Sequence, residues 1–305
     1  MNSCFVWTDN ELHQVSPSRS LSLLCHSLHY GNLVFEGIRF YSVGNEPHVF
    51  RLQEHLDRFY ESANELRMNI QIQKKDLYDL CLDVIKKSSI KEGYLRPVAY
   101  LTDGLSGLGS DDVETNVSVI IWDWQNDTNS ALETKSKRLL ISTFIRLSKS
   151  HGIPHVKCSG NYLLSRMALL EAKSEQLDDA VLLDENGYIT EGTAQNIFFV
   201  VGGNLYTPTT ENCLDGITRN TLIDLAKQVG IKVIEEKLRL ETLEASDEVF
   251  MTSTASEITP IVEIKVGPNK THKFKVGKVT ELLNSEFKRV VSSSDDKHME
   301  WMTKV

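Results

Sequence analysis

The chain has 305 residues and a formal net charge of −9, with 41% hydrophobic and 25% charged residues. This length exceeds the usual size of a single hydrophobic core, so two domains are expected. The acidic balance argues against a nucleic-acid binder, because such proteins usually present a basic face. Apolar runs stay well short of the roughly 20 residues that span a bilayer, and the N-terminus does not resemble a signal peptide.

Cysteine usage indicates the compartment. The five cysteines are an odd number, are widely spaced and form no CxxC pair. This pattern is typical of reduced thiols in a cytoplasmic protein, and it favours neither a disulfide framework nor a metal site.

The first half alternates strand and helix patterns. Residues 34–43 are rich in β-branched and aromatic residues and predict a strand, and a turn at Gly44-Asn45 leads into a second strand. A helix follows, because apolar residues recur at steps of four and three and so share one face. These residues are Leu52, Leu56, Phe59, Ala63 and Leu66. A second helix is predicted at 77–87, with strands at 94–102 and 117–124.

A polar, turn-rich stretch follows Trp124 and predicts the inter-domain linker at 125–136. The linker would separate a smaller N-terminal α/β domain, 1–124, from a larger C-terminal α/β domain, 137–305.

The second half has the same mixed character. The predicted strands are 138–144, 180–184, 195–201, 232–235 and 248–252, and the predicted helices are 162–176 and 217–229. Asn186-Gly187 is typical of a hairpin turn and would join the strands 180–184 and 195–201. The tail beyond residue 292 is polar and is predicted to be loosely held. The chain as a whole is predicted to be a two-domain, mixed α/β protein.

Three residues suggest a chemistry. Lys157, Tyr162 and Glu191 supply a lysine for imine chemistry, a nearby phenol and a carboxylate, which is the minimal set that handles pyridoxal phosphate (PLP). Spacing alone leaves ordinary alternatives open, because most lysines and glutamates lie on the surface and a tyrosine on an apolar helix face is usually part of the core.

Phosphate-binding candidates are equally open at this point. Gly216-Ile217-Thr218 begins a predicted helix, where free N–H groups favour an anion, and residues 252–256 form a small, hydroxyl-rich stretch after a strand. Arg58 lies beside the buried stripe of the first helix. Taken by themselves, such features are more often an ordinary capped helix, a simple turn and a solvated arginine.

Sequence blocks across nearly the whole chain resemble the signature blocks of branched-chain amino acid aminotransferases, which are fold-type IV PLP enzymes. These blocks are 30–39, 94–97, 157–162, 191–196, 216–219 and 254–260. The blocks from Lys157 onward indicate the fold-type IV superfamily, to which D-amino acid aminotransferase also belongs. The Phe35 to Arg39 block and the Tyr94 to Pro97 block indicate the branched-chain class.

The resemblance implies roles around the cofactor. Lys157 would hold PLP covalently and move the proton between the substrate α-carbon and the cofactor. Glu191 would pair with the pyridine nitrogen, Tyr162 would bind the ring 3-oxygen, and Leu214 would lie against the ring. The residues implied at the phosphate and beside it are Arg58, Ile217, Thr218, Ser253 and Thr254.

The resemblance also implies a substrate site. An apolar pocket would hold the branched side chain, cations and phenols would receive the distal carboxylate of glutamate, and a turn would bind the α-carboxylate. The implied residues are Tyr30, Phe35, Gly37, Arg39, Tyr94, Arg96, Trp124, Tyr162, Thr254 and Ala255. The sequence departs from the family pattern at Ser253, where a glycine is usual, and after Trp124, where an expected tyrosine is missing and Asp127 stands near its place.

The expected function is therefore transamination of leucine, isoleucine or valine with 2-oxoglutarate. The partners would be small amino acids and 2-oxo acids, with no nucleic acid, membrane or metal. Tyr30 and the loop 104–109 match family elements that reach a neighbouring subunit, so a homodimer or higher homo-oligomer is expected. Open alternatives are a D-amino acid or amine transaminase, an aminodeoxychorismate lyase, an inactive scaffold and a nucleotide-binding module.

Overall fold

The computed structural model describes residues 4–8, 10–14, 22–102, 107–109, 113–124, 136–292 and 296–305. Contacts divide the chain into two compact units. Unit 1 is Met1–Ala131, Val156–Gly160 and Val290–Val305, and unit 2 is Leu132–His155 and Asn161–Arg289. Two segments that the sequence placed in the second domain, 156–160 and 290–305, thus belong with the first. The predicted linker lies outside the described residues except for residue 136, so its place stays a prediction.

In its described residues, unit 1 contains an antiparallel sheet, three α-helices and a short 3-10 helix at Asp296–Trp301. Its strands are β1 (Cys4–Thr8), β2 (Glu11–Gln14), β3 (Val34–Phe35), β4 (Ile38–Val43), β5 (Glu46–Phe50), β6 (Gly93–Leu101), β7 (Thr115–Asp123) and β17 (Met302–Lys304), and its helices are α1 (His26–Tyr30), α2 (Leu52–Glu65) and α3 (Lys74–Ser88). The strand order is β17-β5-β4-β6-β7-β1-β2, with β3 paired to β6. The apolar stripe predicted for α2 is buried at Leu52, Leu56, Phe59 and Ala63, whereas its fifth residue, Leu66, lies just after the helix end and is only half-buried.

The predicted strand 34–43 is interrupted between β3 and β4. The pairs Phe35 with Val98 and Ile38 with Leu95 keep one register along β6. Glu36 N donates to Pro97 O at 3.0 Å, but Pro97 has no N–H with which to return the bond. The ladder therefore breaks at Glu36 and Gly37.

Unit 2 contains a mixed sheet flanked by helices. Its strands are β8 (Lys137–Ile145), β9 (Asp179–Leu183), β10 (Ile189–Gly192), β11 (Asn196–Val201), β12 (Asn204–Thr207), β13 (Val233–Glu235), β14 (Glu248–Ser253), β15 (Glu257–Val266) and β16 (Lys270–Lys273), and its helices are α4 (Tyr162–Ser174), α5 (Ile217–Gln228), α6 (Thr242–Ala245) and α7 (Lys278–Val291), whose last two residues belong to unit 1. The order is β10-β9-β8-β15-β14-β11-β12-β13, with β16 paired to β15.

The mixed α/β prediction is confirmed. Strand β11 has its first five residues buried, so it lacks the alternation of a strand with one solvent face. The ring of Phe198 stacks on Phe250 of the neighbouring β14 at 5.0 Å between centroids. In the described part of the chain, no helix combines the length and the apolar character needed to cross a bilayer.

Two further details differ from the sequence predictions. Asn186-Gly187 does turn a hairpin, but it joins β9 to β10, a short strand that was not predicted. The prediction of a loosely held tail is wrong for residues 296–305. Strand β17 pairs with β5, and the Trp301 ring packs edge-on against Phe50 with 6.4 Å between centroids. Strand pairing and the Trp301 ring together hold this tail against β5.

A buried carboxylate holds the start of α7. Glu248 accepts hydrogen bonds from Val279 N at 3.1 Å, from Thr280 N at 2.8 Å and from Thr280 Oγ1 at 2.6 Å. A Cβ on Gly277 would lie 2.1 Å from Glu248 Oε1, so this close approach requires glycine. A carboxylate at this position also complements the positive end of the helix.

Candidate active site

The segment that carries Lys157 belongs to unit 1 and is hydrogen-bonded to other parts of that unit. Phe35 N donates to Lys157 O at 3.3 Å, Ser159 N donates to Leu33 O at 2.8 Å, and Lys157 N donates to Ser62 Oγ at 3.2 Å. The Lys157 side chain is half-buried, with Nζ 5.0 Å from the centre of the Phe35 ring. The backbone of this lysine is thus fixed, and its amine lies against an apolar surface.

A charged cluster lies next to this segment in unit 1. The fully buried Glu36 accepts hydrogen bonds from Arg58 Nε at 2.7 Å, from Arg58 Nη2 at 2.9 Å and from His55 Nδ1 at 2.7 Å. The Arg58 side chain is only 13% exposed. Arg58 is therefore not the solvated arginine that the sequence left open.

The charge states of this cluster follow from its contacts. Burial alone would raise the pKa of Glu36, but Arg58 and His55 more than offset it and hold the pKa well below its ordinary value of 4.5. Burial lowers the pKa of His55 below 6.5 despite the attraction of Glu36. Because a carboxylate only accepts, the neutral His55 ring carries its proton on Nδ1.

This cluster predicts an acid-sensitive fold. His55 is neutral in the folded state, so its contribution to stability is complete above pH 6.5 and declines as pH falls toward its lowered pKa. Glu36 contributes to this decline only below about pH 4.5. Between about pH 6.5 and about pH 4.5, protonation of His55 should lower the free energy of unfolding by at most about 1.4 kcal/mol per pH unit.

Urea unfolding at about pH 7.5 and about pH 5.5 measures this difference. His55→Gln keeps a hydrogen-bond donor but cannot titrate, so the loss between the two pH values should be smaller in this variant. An identical loss in wild type and His55→Gln would contradict the assignment.

Aromatic rings form a stack on the same sheet. Tyr94 lies between Trp122, at 4.7 Å between centroids, and Trp124, at 5.3 Å. A Cβ on Gly37 would lie 1.8 Å from the Tyr94 hydroxyl, so the glycine of the Phe-Glu-Gly-Ile-Arg block makes room for this ring. Trp122 was missed by sequence reasoning, although it shares a strand face with Trp124.

The two arginines of the predicted distal-carboxylate site differ. Arg39 Nη2 donates to Glu92 Oε1 at 2.8 Å, and its side chain is 5% exposed. Arg96 instead lies over the rings of Phe35 and Trp122, at 5.3 Å and 5.2 Å. Among the described residues Arg96 has no carboxylate partner, whereas the charge of Arg39 is already paired.

Tyr30 is placed apart from this stack. It ends α1, is 44% exposed, and packs its ring on His26 with 4.5 Å between centroids. The loop that follows Trp124, including Asp127, lies outside the described residues.

In unit 2, strand β10 presents Glu191 to a buried arginine. Arg146 Nη2 lies 2.8 Å from Glu191 Oε1, and Leu214 N donates to Glu191 Oε2 at 3.3 Å. Arg146 also donates to Pro154 O at 3.2 Å. Arg146 was not predicted from the sequence. The one feature that could have indicated it is its position as a cation directly after an apolar strand. The structure thus shows Glu191 to be buried and oriented, not a surface carboxylate.

The start of α5 is shaped by an asparagine. Asn196 Nδ2 donates to Leu214 O at 2.9 Å, and a Cβ on Gly216 would lie 2.0 Å from Asn196 Oδ1. Gly216 offers no side-chain cap, and Ile217 and Thr218 are buried in the first turn. Such a helix start suits an anion.

The turn between β14 and β15 contains Thr254 and Ala255, as predicted, and both are half-buried. Ser253, the residue that replaces the usual glycine, directs its hydroxyl to Ser256 Oγ at 2.7 Å and accepts from Ser256 N at 3.2 Å. Ser253 therefore stabilises its own turn. Tyr162, the remaining predicted residue, begins α4.

The chain belongs to the class IV aminotransferases. The family model described as "Amino-transferase class IV" matches residues 33–264, which include Lys157 and Glu191.

Within this class the chain belongs to the branched-chain-amino-acid aminotransferases. It is 33% identical over 303 residues to the enzyme of that name from Pseudomonas aeruginosa, covering 98% of this chain and 97% of the relative. It superposes with a TM-score of 0.90 on the branched-chain aminotransferase of Thermoproteus uzoniensis with norvaline, at 31% identity and 98% coverage of both chains.

A second similar solved structure contains a bound ligand. It is a T.th. branched-chain amino acid aminotransferase complexed with N-(5'-phosphopyridoxyl)-L-glutamate. Its TM-score is 0.88 at 33% identity, covering 98% of this chain and 97% of that chain. The predicted fold-type IV architecture and aminotransferase class are confirmed.

Proposed function

We propose that this chain uses PLP to exchange amino groups between leucine, isoleucine or valine and 2-oxoglutarate. The observation that carries the proposal is the fixed Lys157 backbone in a chain 33% identical, over 98% of its length, to an enzyme of this name. The five free cysteines are consistent with action in the cytoplasm.

The side chains fit the chemical ends of PLP. When bound, PLP supplies an aldehyde carbon that reacts with amines and a ring that withdraws electrons. Lys157 would hold the aldehyde end, and the buried Glu191 carboxylate would hold the proton on the ring nitrogen. The α5 start at Ile217 and Thr218, together with Arg58, would bind the phosphate. Tyr162, Leu214 and Thr254 would complete the cofactor contacts.

Lys157 would also move the substrate proton. Its Nζ would take the proton from the substrate α-carbon and return it at the cofactor carbon, while the Phe35 ring helps to exclude water. Arg146 would keep the Glu191 carboxylate oriented throughout, because it holds Oε1 from one side. The Thr254-Ala255 turn would receive the α-carboxylate.

Both substrate classes would use the aromatic stack. The apolar faces around Phe35 would favour a branched side chain by about 2 kcal/mol. The distal carboxylate of 2-oxoglutarate needs a cation, since an unpaired charge is costly to bury. Arg96 is better suited than Arg39, because Glu92 already pairs with Arg39.

Assays of the purified protein against a panel of amino donors and 2-oxo acids test the proposal. The protein should be yellow, and borohydride should fix the cofactor to Lys157. A colourless protein that PLP does not restore, or activity confined to D-amino acids or amines, would overturn it.

Arg96→Met should separate the two substrate classes. We expect kcat/KM for 2-oxoglutarate to fall about 100-fold, because a hydrogen-bonded charge is lost, and kcat/KM for the leucine oxo-acid to change by less than about fivefold. The wild type should already have a higher KM for 2-oxoglutarate than for branched oxo-acids. Equal losses for both substrates in Arg96→Met would indicate a structural role.

A homodimer or higher homo-oligomer is the proposed assembly. Leu163, Met167 and Leu170 are 68%, 40% and 44% exposed on one side of α4, opposite its buried residues. Such a stripe is typical of a helix that packs against another surface. Met167→Glu should reduce the sedimentation mass, whereas Lys173→Glu on the same helix should not. A wild type that sediments as an active monomer would refute the assembly.

A further inference from the structure

Glu36 is a fully buried carboxylate, and it has no part in the cofactor and substrate contacts proposed above. It lies in unit 1 directly before Gly37, whose N–H donates to Glu36 Oε2 at 3.3 Å. The same oxygen accepts from His55 Nδ1, and both oxygens accept from Arg58. The carboxylate is therefore held in one orientation by three residues.

The pair with Arg58 uses one edge of the guanidinium. Nε and Nη2 lie on the same side of the planar group, and each donates to a different oxygen of Glu36, at 2.7 Å and 2.9 Å. Such side-on pairing fixes the guanidinium plane as well as its position. The bonds to Glu36 use neither Nη1 nor the second N–H of Nη2, and two adjacent guanidinium N–H groups of this kind suit a phosphate.

We propose that Glu36 is the positioning residue for Arg58, and that it orients the guanidinium so that its opposite edge receives the phosphate of PLP. This inference rests on the proposed function, because it takes PLP as the cofactor. His55 contributes by holding Glu36 Oε2 from a third direction.

The placement of Glu36 inside the core supports a function beyond packing. A buried ion pair often contributes little stability compared with apolar residues of similar volume. A flexible arginine, in contrast, loses side-chain entropy when it binds a phosphate, and a guanidinium held in advance has less to lose. Fixing Arg58 before the cofactor arrives should therefore strengthen phosphate binding specifically.

The test compares PLP with pyridoxal, which lacks the phosphate. The full-length protein, freed of cofactor, is titrated with each compound by absorbance, and the ratio of the two dissociation constants reports the phosphate contribution. In Glu36→Gln, which cannot accept from both Arg58 nitrogens, we expect this ratio to fall at least about tenfold. Pyridoxal binding should change by less than about twofold.

Glu248→Gln is the matched control. Glu248 is also a buried carboxylate and accepts three hydrogen bonds, but it holds the start of α7. This variant should lower the unfolding midpoint and leave the ratio unchanged. If Glu36→Gln behaves in the same way, Glu36 is structural and the inference is overturned.

Two further variants keep the inference testable if Glu36→Gln does not fold. Glu36→Asp keeps the charge but withdraws the carboxylate, so the ratio should again fall. In an Arg58→Lys background the side chain has no guanidinium to orient. Glu36→Gln or Glu36→Asp in that background should therefore alter the ratio of the two dissociation constants by less than about twofold. A full additional loss there would show that Glu36 does not act through Arg58.

The outcomes separate this inference from the proposed function. A wild type that binds neither compound contradicts the use of PLP. A wild type that strongly prefers PLP, with the preference retained in Glu36→Gln and Glu36→Asp, contradicts only the role of Glu36.

Discussion

Lys157→Ala should abolish transamination, with kcat for leucine falling by at least about 10,000-fold. The change removes the amine that holds the cofactor and the group that moves the proton at the substrate α-carbon. Because Lys157 is half-buried and its backbone makes the hydrogen bonds to Phe35 and Ser62, the fold should persist. Stopped assays over hours measure the residual rate.

Lys149→Ala is a suitable control, since Lys149 is an exposed lysine eight residues earlier in the chain. Its activity should stay within about twofold of wild type. The Lys157→Ala protein should still bind PLP weakly through its phosphate, but borohydride should no longer attach it. Activity near that of wild type, or a label on another lysine, would show that Lys157 has a different role.

Glu191→Gln is expected to give the second-largest loss, with kcat falling about 100- to 1,000-fold. A neutral amide cannot hold the proton on the ring nitrogen as a carboxylate does, so electron withdrawal by the ring weakens. The single amide oxygen can accept from Leu214 N or from Arg146, but not from both, because the carboxylate uses a separate oxygen for each. PLP binding should still change less than kcat, because the phosphate contacts are made by other residues. Steady-state kinetics and a PLP titration separate these effects.

Glu185→Gln, an exposed carboxylate near the same hairpin, provides the comparison for Glu191→Gln. It should leave both kcat and PLP binding unchanged. A Glu191→Gln enzyme with nearly normal kcat would mean that the buried ion pair with Arg146 serves the fold alone.

Local pattern was sufficient for much of the fold. The steps of four and three along α2 identify its buried apolar residues from Leu52 to Ala63, and Asn186-Gly187 does form a hairpin. Strand β10 was missed because its four residues include polar ones and no long apolar run. The pairing of β17 with β5 could not be predicted, because nothing local in residues 302–304 indicates a partner some 250 residues earlier.

The candidate site also contains residues that the sequence could identify and residues that it could not. Lys157, Tyr162 and Glu191 stand in contiguous blocks, so a resemblance could identify them. Their supporting residues could not be found in this way, because each contact joins distant positions. Glu36 pairs with Arg58 across 22 residues, and Glu92 pairs with Arg39 across 53. The sequence contains these charges, but only the fold selects which of them meet.

The discontinuous make-up of unit 1 has a consequence for biosynthesis. Its sheet includes β17, which is made some 250 residues after its partner β5, and its lysine-bearing segment comes between two parts of unit 2. Domains usually fold in order as the chain emerges from the ribosome, but β5 has no partner on its outer edge until residue 304 has left the exit tunnel. The outer edge of β5 therefore stays unpaired while the intervening residues are synthesised, and such an exposed edge is a site at which another strand can pair wrongly.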